Sequence, residues 1–364
     1  MNGETQNFAY AEPFGEPFKV FLFRRTIMGL FTKLFGKKNN SNDEVSKIAE
    51  MFEDNSNELY GLPEGYKPGE AADTSDEEKA KVARVLAQLD ADIPAKMRIR
   101  LKPVREHTSV FDSKLGGIPY LPKGYEYPVV NTGEHFGKPL RFLAQLNFAK
   151  LPHIEGFPQS GILQFYAGCD GDDLIGMDFE NGFNQNGFRV IYHSEIIEDE
   201  RQLYSAKDMP SFDMDDCAFP FRGEFRLDAS EPEMQAVIAS DYHFDKAAVA
   251  AYNKVFGTQY DSVFGTADKN CIYHHDKDLC DLLYEMRSIS GSAIGGYPYF
   301  TQDDPRGYGE EAGKCDILLF QLDSEGSGAD EIMWGDCGVG NFFISAEDLA
   351  ALDFTKVLYN WDCC

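Results

Sequence analysis

The chain carries the same eight-residue motif twice, and this repeat limits its possible folds more than any other feature. Residues 113–120 read SKLGGIPY and residues 292–299 read SAIGGYPY, with five of eight positions identical. Two further segments follow each copy in the same order: LRFLAQLN and GILQFY after the first, DILLFQLD and GVGNFF after the second. Repetition at matching distances indicates an internal duplication. We therefore expect two similar halves, each built as loop, strand, loop, strand.

The residue types of the motif favour a tight corner that leads into a sheet. Glycine permits positive φ and proline fixes its own φ. The predicted structural positions are Gly116, Gly117 and Pro119 in the first copy and Gly295, Gly296 and Pro298 in the second. The same loop could line a ligand site, but the corner is the favoured interpretation.

One glutamine in each half interrupts the apolar strand that follows the motif. Gln145 and Gln321 occupy this position. A buried amide needs hydrogen-bond partners. We predict that each amide bonds backbone groups near its own Gly-Gly corner.

Composition and periodicity indicate a sheet-rich globular protein with a few helices. The 364 residues include 29 Phe and 18 Tyr, whose rings fit a pleated, half-buried surface. Helical spacing of apolar residues predicts helices at 43–54, 75–92, 241–256 and 276–287, and a short helix after Ser345. The predicted class is α+β and β-rich, with a duplicated pair of antiparallel β lobes flanked by N-terminal and inserted helices.

The same patterns suggest where the segments of the chain begin and end. Residues 1–42 form a predicted extension, 43–94 a helical segment and 95–364 the duplicated domain. That domain is divided into lobe one at 95–204, an insert at 205–288 and lobe two at 289–364. Because the sequence from Met28 also reads as a natural beginning, Met1 and Met28 are both candidate translation starts.

The charge narrows the choice of partners. Thirty-four basic and 61 acidic residues give a net charge of -27. This charge disfavours nucleic acid and anionic membranes and favours a basic protein partner. No segment approaches the ~20 apolar residues needed to cross a bilayer. Eight cysteines without a framework spacing, and no convincing signal peptide, predict free thiols and a cytoplasmic location.

Motifs for catalysis, cofactors or metals fail on inspection. The glycines at 307–312 lack the apolar strand that must precede a dinucleotide-binding loop, and no nucleophile elbow occurs. Cys271, His274, His275 and Cys280 are close in sequence but do not have a zinc-finger spacing. We therefore predict no metal and no cofactor.

Taken together, the repeated blocks and the MWGDCG segment at 333–338 resemble the YwqG-like family of uncharacterised bacterial proteins, which is defined by a domain of unknown function. The resemblance extends from about residue 95 to residue 364. It implies a cytoplasmic bacterial protein with a β-rich, duplicated fold. It supplies no activity, cofactor or catalytic residue.

Four residues are the candidate ligand-binding positions: Tyr120, Tyr299, Trp334 and Asp336. If the two lobes meet, the motif tyrosines and Asp336 would line a shared cleft. The leading hypothesis is a non-enzymatic acidic binding protein that neutralises a basic partner, as immunity proteins do. The alternative is a small-molecule enzyme of the hydrolase type that uses the cleft between the lobes.

Overall fold

The computed structural model describes residues 76–169, 174–212, 218–265 and 270–363. The predicted extension at 1–42 and the predicted helix at 43–54 lie outside these residues. The described chain divides into two compact units. One unit contains residues 76–89 and 245–285, and the other contains residues 90–244 and 286–363.

Helices dominate the first unit and confirm the helices predicted at 75–92, 241–256 and 276–287. Three helices contribute to it: α1 Asp76–Asp92, α2 Phe244–Phe256 and α3 Lys277–Arg287. On α1, Val82, Val85 and Leu89 are fully buried, as their spacing on one helix face predicts. None of the described helices combines the length and the apolar character needed to cross a membrane.

Antiparallel strands make up the second unit. They are β1 Lys96–Arg105, β2 Lys114–Gly116, β3 Arg141–Asn147, β4 Ile162–Ala167, β5 Phe188–His193, β6 Glu224–Ala229, β7 Glu233–Gln235, β8 Ala293–Gly295, β9 Ile317–Asp323, β10 Val339–Ile344 and β11 Leu358–Asp362. Their order in the sheet is β11-β10-β9-β8-β1-β6-β2-β3-β4-β5, and β7 pairs with β1. Two short helices, α4 Glu310–Gly313 and α5 Ala346–Ala350, connect strands of the second half.

The two repeats are the two arms of this one sheet. Strands β2–β5 form one arm and β8–β11 the other, and the β1–β6 pair lies between them. The ring of Phe165 on β4 lies 5.0 Å from Phe320 on β9 and 4.7 Å from Phe342 on β10. Phe188 on β5 and Tyr359 on β11, from the two ends of the ladder, are also 5.0 Å apart. The sheet is therefore nearly closed around a core that both repeats share, and the α+β, β-rich class is confirmed.

The Gly-Gly corners bring the backbone of neighbouring strands into close approach. Gly116 has a φ of 59° and Gly295 a φ of 66°. A Cβ atom added at Gly116 would lie 2.3 Å from the carbonyl oxygen of Gly223, and one added at Gly295 would lie 2.5 Å from that of Met97. The positive φ and the lack of room for a Cβ atom therefore both require glycine at these two positions.

We expect Gly116→Ala and Gly295→Ala each to lower the free energy of unfolding by about 2–4 kcal/mol, because each adds a left-handed alanine and a steric clash. Urea denaturation measures this loss. Gly133→Ala is the matched control, since Gly133 has a φ of 83° with no atom near the added Cβ. If Gly133→Ala lowered the free energy of unfolding as much as Gly116→Ala does, the clash of the added Cβ atom with the neighbouring backbone would contribute nothing to the loss.

The expectation of free thiols is wrong at one position. Cys169, just after β4, is disulfide-bonded. Five other cysteines are thiols: Cys271, Cys280, Cys315, Cys337 and Cys363. Spacing along the chain does not show which cysteines a folded sheet brings together, so the sequence pattern could not identify this bond.

Candidate functional site

The side chain of Gln145 forms hydrogen bonds with backbone groups near the first Gly-Gly corner, as predicted. Its side-chain oxygen accepts a hydrogen bond from the backbone N–H of Tyr120 at 2.9 Å. Its amide nitrogen donates to the carbonyl oxygens of Val110 and Asp112, each at 2.8 Å. The glutamine is fully buried, and its role is to satisfy backbone groups of the motif.

Gln321 does the same for the second corner. Its side-chain oxygen accepts from the N–H of Tyr299 at 2.7 Å, and its nitrogen donates to the carbonyl oxygen of Gly291 at 2.6 Å. The prediction for both glutamines is confirmed. Each glutamine therefore has a structural role at its own Gly-Gly corner.

The four predicted binding residues differ in their access to solvent. Tyr120 and Trp334 are fully buried, and the Tyr120 hydroxyl accepts a hydrogen bond from the N–H of Ile197 at 2.8 Å. Tyr299 is partly buried and Asp336 is exposed. Tyr120 and Trp334 are therefore placed as core residues. A binding role for Tyr299 and Asp336 stays a prediction.

The Cys-His cluster of the helical unit is divided between core and surface. Cys271 and Cys280 are buried, and burial raises the pKa of the Cys280 thiol well above its usual range. The Nε2 atom of His274 lies 3.0 Å from the carbonyl oxygen of Gly265. In the described part of the chain, no group of three or more His, Cys, Asp or Glu side chains is arranged to hold a metal ion.

Exposed aromatic side chains concentrate on two loops of the sheet unit, which we call the loop surface (residues 125–138 and 178–189). Four large aromatic side chains are exposed among the described residues, and three of them lie here. Tyr125 is 49% exposed, Phe136 73% and Phe179 77%. Large contiguous apolar patches mark interaction sites, whereas apolar side chains that are exposed singly are ordinary.

The side chain of Asn186 joins the two loops of this surface by hydrogen bonds. Its side-chain oxygen accepts from the N–H groups of Asn131 at 2.8 Å and Thr132 at 2.9 Å, and its nitrogen donates to the carbonyl oxygen of Thr132. Within the second loop, the Asp178 carboxylate accepts from the N–H groups of Glu180 and Asn181. These side-chain bonds replace a strand ladder, and they hold both loops in one arrangement.

A shallow groove separates the loops. It consists of a depression of about 390 Å³ that adjoins a second of about 290 Å³. Arg189 on β5 borders both, and its Nε and Nη2 atoms donate to the carbonyl oxygen of Gln185 at 3.1 and 3.0 Å. Arg189 forms no ion pair with any described residue. The remaining polar lining consists mainly of the side-chain amides Asn131, Asn184, Gln185 and Asn186.

Each exposed ring of the loop surface has an exposed carboxylate close by in the chain. Glu126 follows Tyr125, Glu134 precedes Phe136 by two residues, and Glu180 follows Phe179. None of these three carboxylates pairs with a basic residue in the described ranges. Aromatic faces and carboxylates both attract cationic side chains. Chemically, the loop surface can therefore bind a basic partner.

Sequence reasoning missed this surface, because a phenylalanine is ordinarily assigned to the core. A usable signal was present in the local composition. Phe136 lies in NTGEHFG and Phe179 in DFENGFNQNG, segments too rich in Gly, Asn and acidic residues to form buried strands.

No curated protein matches the chain. A family model described as "Domain of unknown function (DUF1963)" matches residues 113–363. The match includes both repeats and the loop surface, and it covers more than half of the chain. The protein therefore belongs to the DUF1963 family.

Proposed function

We propose that this protein is a non-enzymatic, immunity-like binding protein of the YwqG-like type in the bacterial cytoplasm. It recognises a basic protein partner through the loop surface. The observation that carries the proposal is the pairing of Tyr125, Phe136 and Phe179, all exposed, with nearby carboxylates that have no ion-pair partner in the described chain. Aromatic side chains are enriched at protein interfaces and often dominate their binding energy.

The overall charge supports the same kind of partner. A net charge of -27 attracts a basic protein from a distance and speeds its association at low salt. The rings of Phe136 and Phe179 would then supply short-range contact area. We expect charge to act on the association rate and the rings on the dissociation rate.

A catalytic role has less support in the geometry. A nucleophilic cysteine needs a thiolate. Burial raises the pKa of Cys315 to about 11 and that of Cys280 further, so these two buried thiols are unsuited to the role, whereas Cys337 is exposed. Trp334, one of the four predicted binding residues, is fully buried. The loop surface offers amides, rings and an arginine, which are groups that bind.

The test is a comparison of partner binding by three proteins. Wild-type protein is used to isolate a partner from a bacterial lysate, and the purified partner is then titrated against each protein. For Phe136→Ala/Phe179→Ala we expect the Kd to rise at least about 30-fold, since hot-spot rings each contribute ~2 kcal/mol or more. For wild type we expect the association rate to fall steeply with added salt.

The matched control alters another exposed ring with carboxylates beside it. Tyr308 is 58% exposed, and Glu310 and Glu311 follow it on the surface. The variant Tyr308→Ala, which like the test variant changes no charge, should bind as wild type does. Equal Kd values for wild type and the Phe136/Phe179 variant would contradict the proposal, as would a captured partner whose binding ignores salt.

A further inference from the structure

Equivalent positions in the two repeats differ in one buried polar contact. In the first repeat, Gln164 on β4 donates through Nε2 to the carbonyl oxygen of Tyr120. Its side-chain oxygen accepts from the Tyr166 hydroxyl at 3.1 Å and lies 3.1 Å from Nε2 of His193. Burial lowers the pKa of His193 to about 4, so its ring is neutral and its Nε2–H is the donor that this contact needs. The buried amide is thus fully bonded.

The second repeat keeps the amide but loses both donors. The alignment of GILQFY with GVGNFF places Asn341 opposite Gln164 and Phe343 opposite Tyr166. The strand register places Asp362 opposite His193, because Ile162 pairs with His193 and the matching Val339 pairs with Asp362. Phenylalanine has no hydroxyl, and an ionised carboxylate has no hydrogen.

Two buried acceptors are left without partners as a result. Asn341 donates through Nδ2 to the carbonyl oxygen of Tyr299 at 2.9 Å, as Gln164 does to Tyr120. Its Oδ1 atom has no hydrogen-bond partner, and neither does Oδ1 of Asp362. The other carboxylate oxygen of Asp362 accepts from the N–H groups of Thr301 at 3.0 Å and Gln302 at 2.8 Å. Buried polar atoms are rarely left unbonded.

We propose that Asn341 and Asp362 form a proton-binding site: as the pH falls below neutrality, Asp362 takes up a proton on Oδ1 and donates it in a hydrogen bond to Oδ1 of Asn341. One proton satisfies both unpaired atoms and replaces the N–H of His193 in the other repeat. Asp362 ends β11, the last strand of the sheet. The proton therefore adds a side-chain hydrogen bond between this strand and β10.

The surroundings place this uptake close to neutral pH. Burial raises the pKa of Asp362 to about 6. Burial also raises the pKa of Asp323, on β9, to about 6, and the carboxylates of Glu325 and Asp362 add to that shift. The N–H groups of Thr301, Gln302 and Val339 and the hydroxyl of Thr301 lower the pKa of Asp362 and so act against the proton. The Oγ1 atom of Thr301 is itself buried without a hydrogen-bond partner at normal distance. Among the described residues, Asp323 is the charged group that interacts with Asp362, and Cys363 follows Asp362 in the chain.

The sign of the effect on stability follows from proton binding. A carboxyl whose pKa is raised in the folded state binds more protons folded than unfolded between about pH 4 and pH 6. Its favourable contribution is therefore complete below about pH 4 and is lost as the pH rises through about 6. The hydrogen bond from Asp362 to Asn341, which joins β11 to β10, should be lost over the same pH range.

Asp362→Asn provides the test, because an asparagine amide can donate to Asn341 without a titrating proton. Its oxygen can still accept from Thr301 and Gln302. We measure the unfolding constant in urea from pH 4 to pH 8 and compare the ratio of wild type to variant. A difference of two pKa units between the folded and unfolded states corresponds to a change of up to about 100-fold in this ratio. The variant should become more stable relative to wild type as the pH rises. A ratio constant within about twofold across this range would overturn the proposal.

Asp336→Asn is the matched control, since it removes an exposed carboxylate from a neighbouring loop and should leave the ratio independent of pH. A second measurement uses only wild-type protein and stays valid if Asp362→Asn does not fold. In a ¹³C and ¹⁵N NMR titration, the Asp362 carboxyl carbon and the Asn341 side-chain amide should change together, with a midpoint near pH 6. An Asp362 midpoint below about 4.5, or an Asn341 amide that does not respond, would overturn the site.

Discussion

Arg306→Met should lower the free energy of unfolding at pH 7 by about 3–5 kcal/mol, the cost of leaving buried charges without their partner. Arg306 has a side-chain exposure of 1%. Its Nη2 atom lies 2.7 Å from Asp241 Oδ2 and 2.6 Å from Asp304 Oδ2, and its Nε donates to the other Asp304 oxygen at 2.9 Å. Both carboxylates are buried, so methionine would leave two anions away from water.

The loss should become smaller in acid. Burial alone would raise the pKa of Asp241, but the hydrogen bond from His243 and the charge of Arg306 lower it to about 2. Asp241 therefore supports the wild-type fold above its unfolded pKa, and this support is lost only as the pH falls towards 2. Without Arg306 the carboxyls bind protons more tightly in the folded state, so the variant gains stability as the pH falls. Urea denaturation at pH 7 and pH 4.5 measures the difference.

Two further variants separate a buried ion pair from an exposed one. Arg201→Met breaks the pair between Arg201 Nε and Asp199 Oδ1, 2.8 Å apart but with the arginine side chain 91% exposed, and should not change stability measurably. Adding Asp241→Asn and Asp304→Asn to Arg306→Met should restore part of the loss, since the unpaired charges are gone. Equal effects of Arg306→Met and Arg201→Met would contradict the importance of burial.

The repeat made part of this fold predictable from the sequence. The partners of Gln145 and Gln321 followed from chemistry that is local to each copy, and the helices at 76–92 and 277–287 followed from apolar spacing. The arrangement of the copies did not follow. β6 lies in the stretch assigned to an insert, and EFRLDA carries three charged residues in six, which hides a strand whose neighbours are distant in sequence.

The candidate site was less predictable for a related reason. Sequence shows that Tyr120 and Trp334 are unusual residues, but which face of a strand or turn they occupy depends on long-range packing. Both are buried. The unpaired atoms of Asn341 and Asp362 depend on the register between β10 and β11, which local patterns do not specify. Phe136 and Phe179 are exposed because their loops are held by side-chain bonds to Asn186 and Asp178.

Gln145→Leu should cost about 3–5 kcal/mol of unfolding free energy, a prediction that tests the structural reading of the repeat. Leucine fills similar space but leaves the N–H of Tyr120 and the carbonyl oxygens of Val110 and Asp112 without the bonds that Gln145 makes. Each buried group that loses its partner costs ~1–3 kcal/mol. Urea denaturation with an unchanged m-value would show that stability changed without a change in the compactness of either state.

The second repeat supplies an internal comparison for that experiment. Gln321→Leu removes one backbone donor contact and one acceptor contact, those to Tyr299 and Gly291, so its cost should be smaller, about 2–4 kcal/mol. Gln202→Leu is the surface control, because Gln202 is exposed and surface substitutions usually change stability by less than ~0.5 kcal/mol. If Gln145→Leu cost no more than Gln202→Leu, the motif would not owe its repetition to these backbone bonds. A ligand contact at the Gly-Gly corners would then be the better explanation.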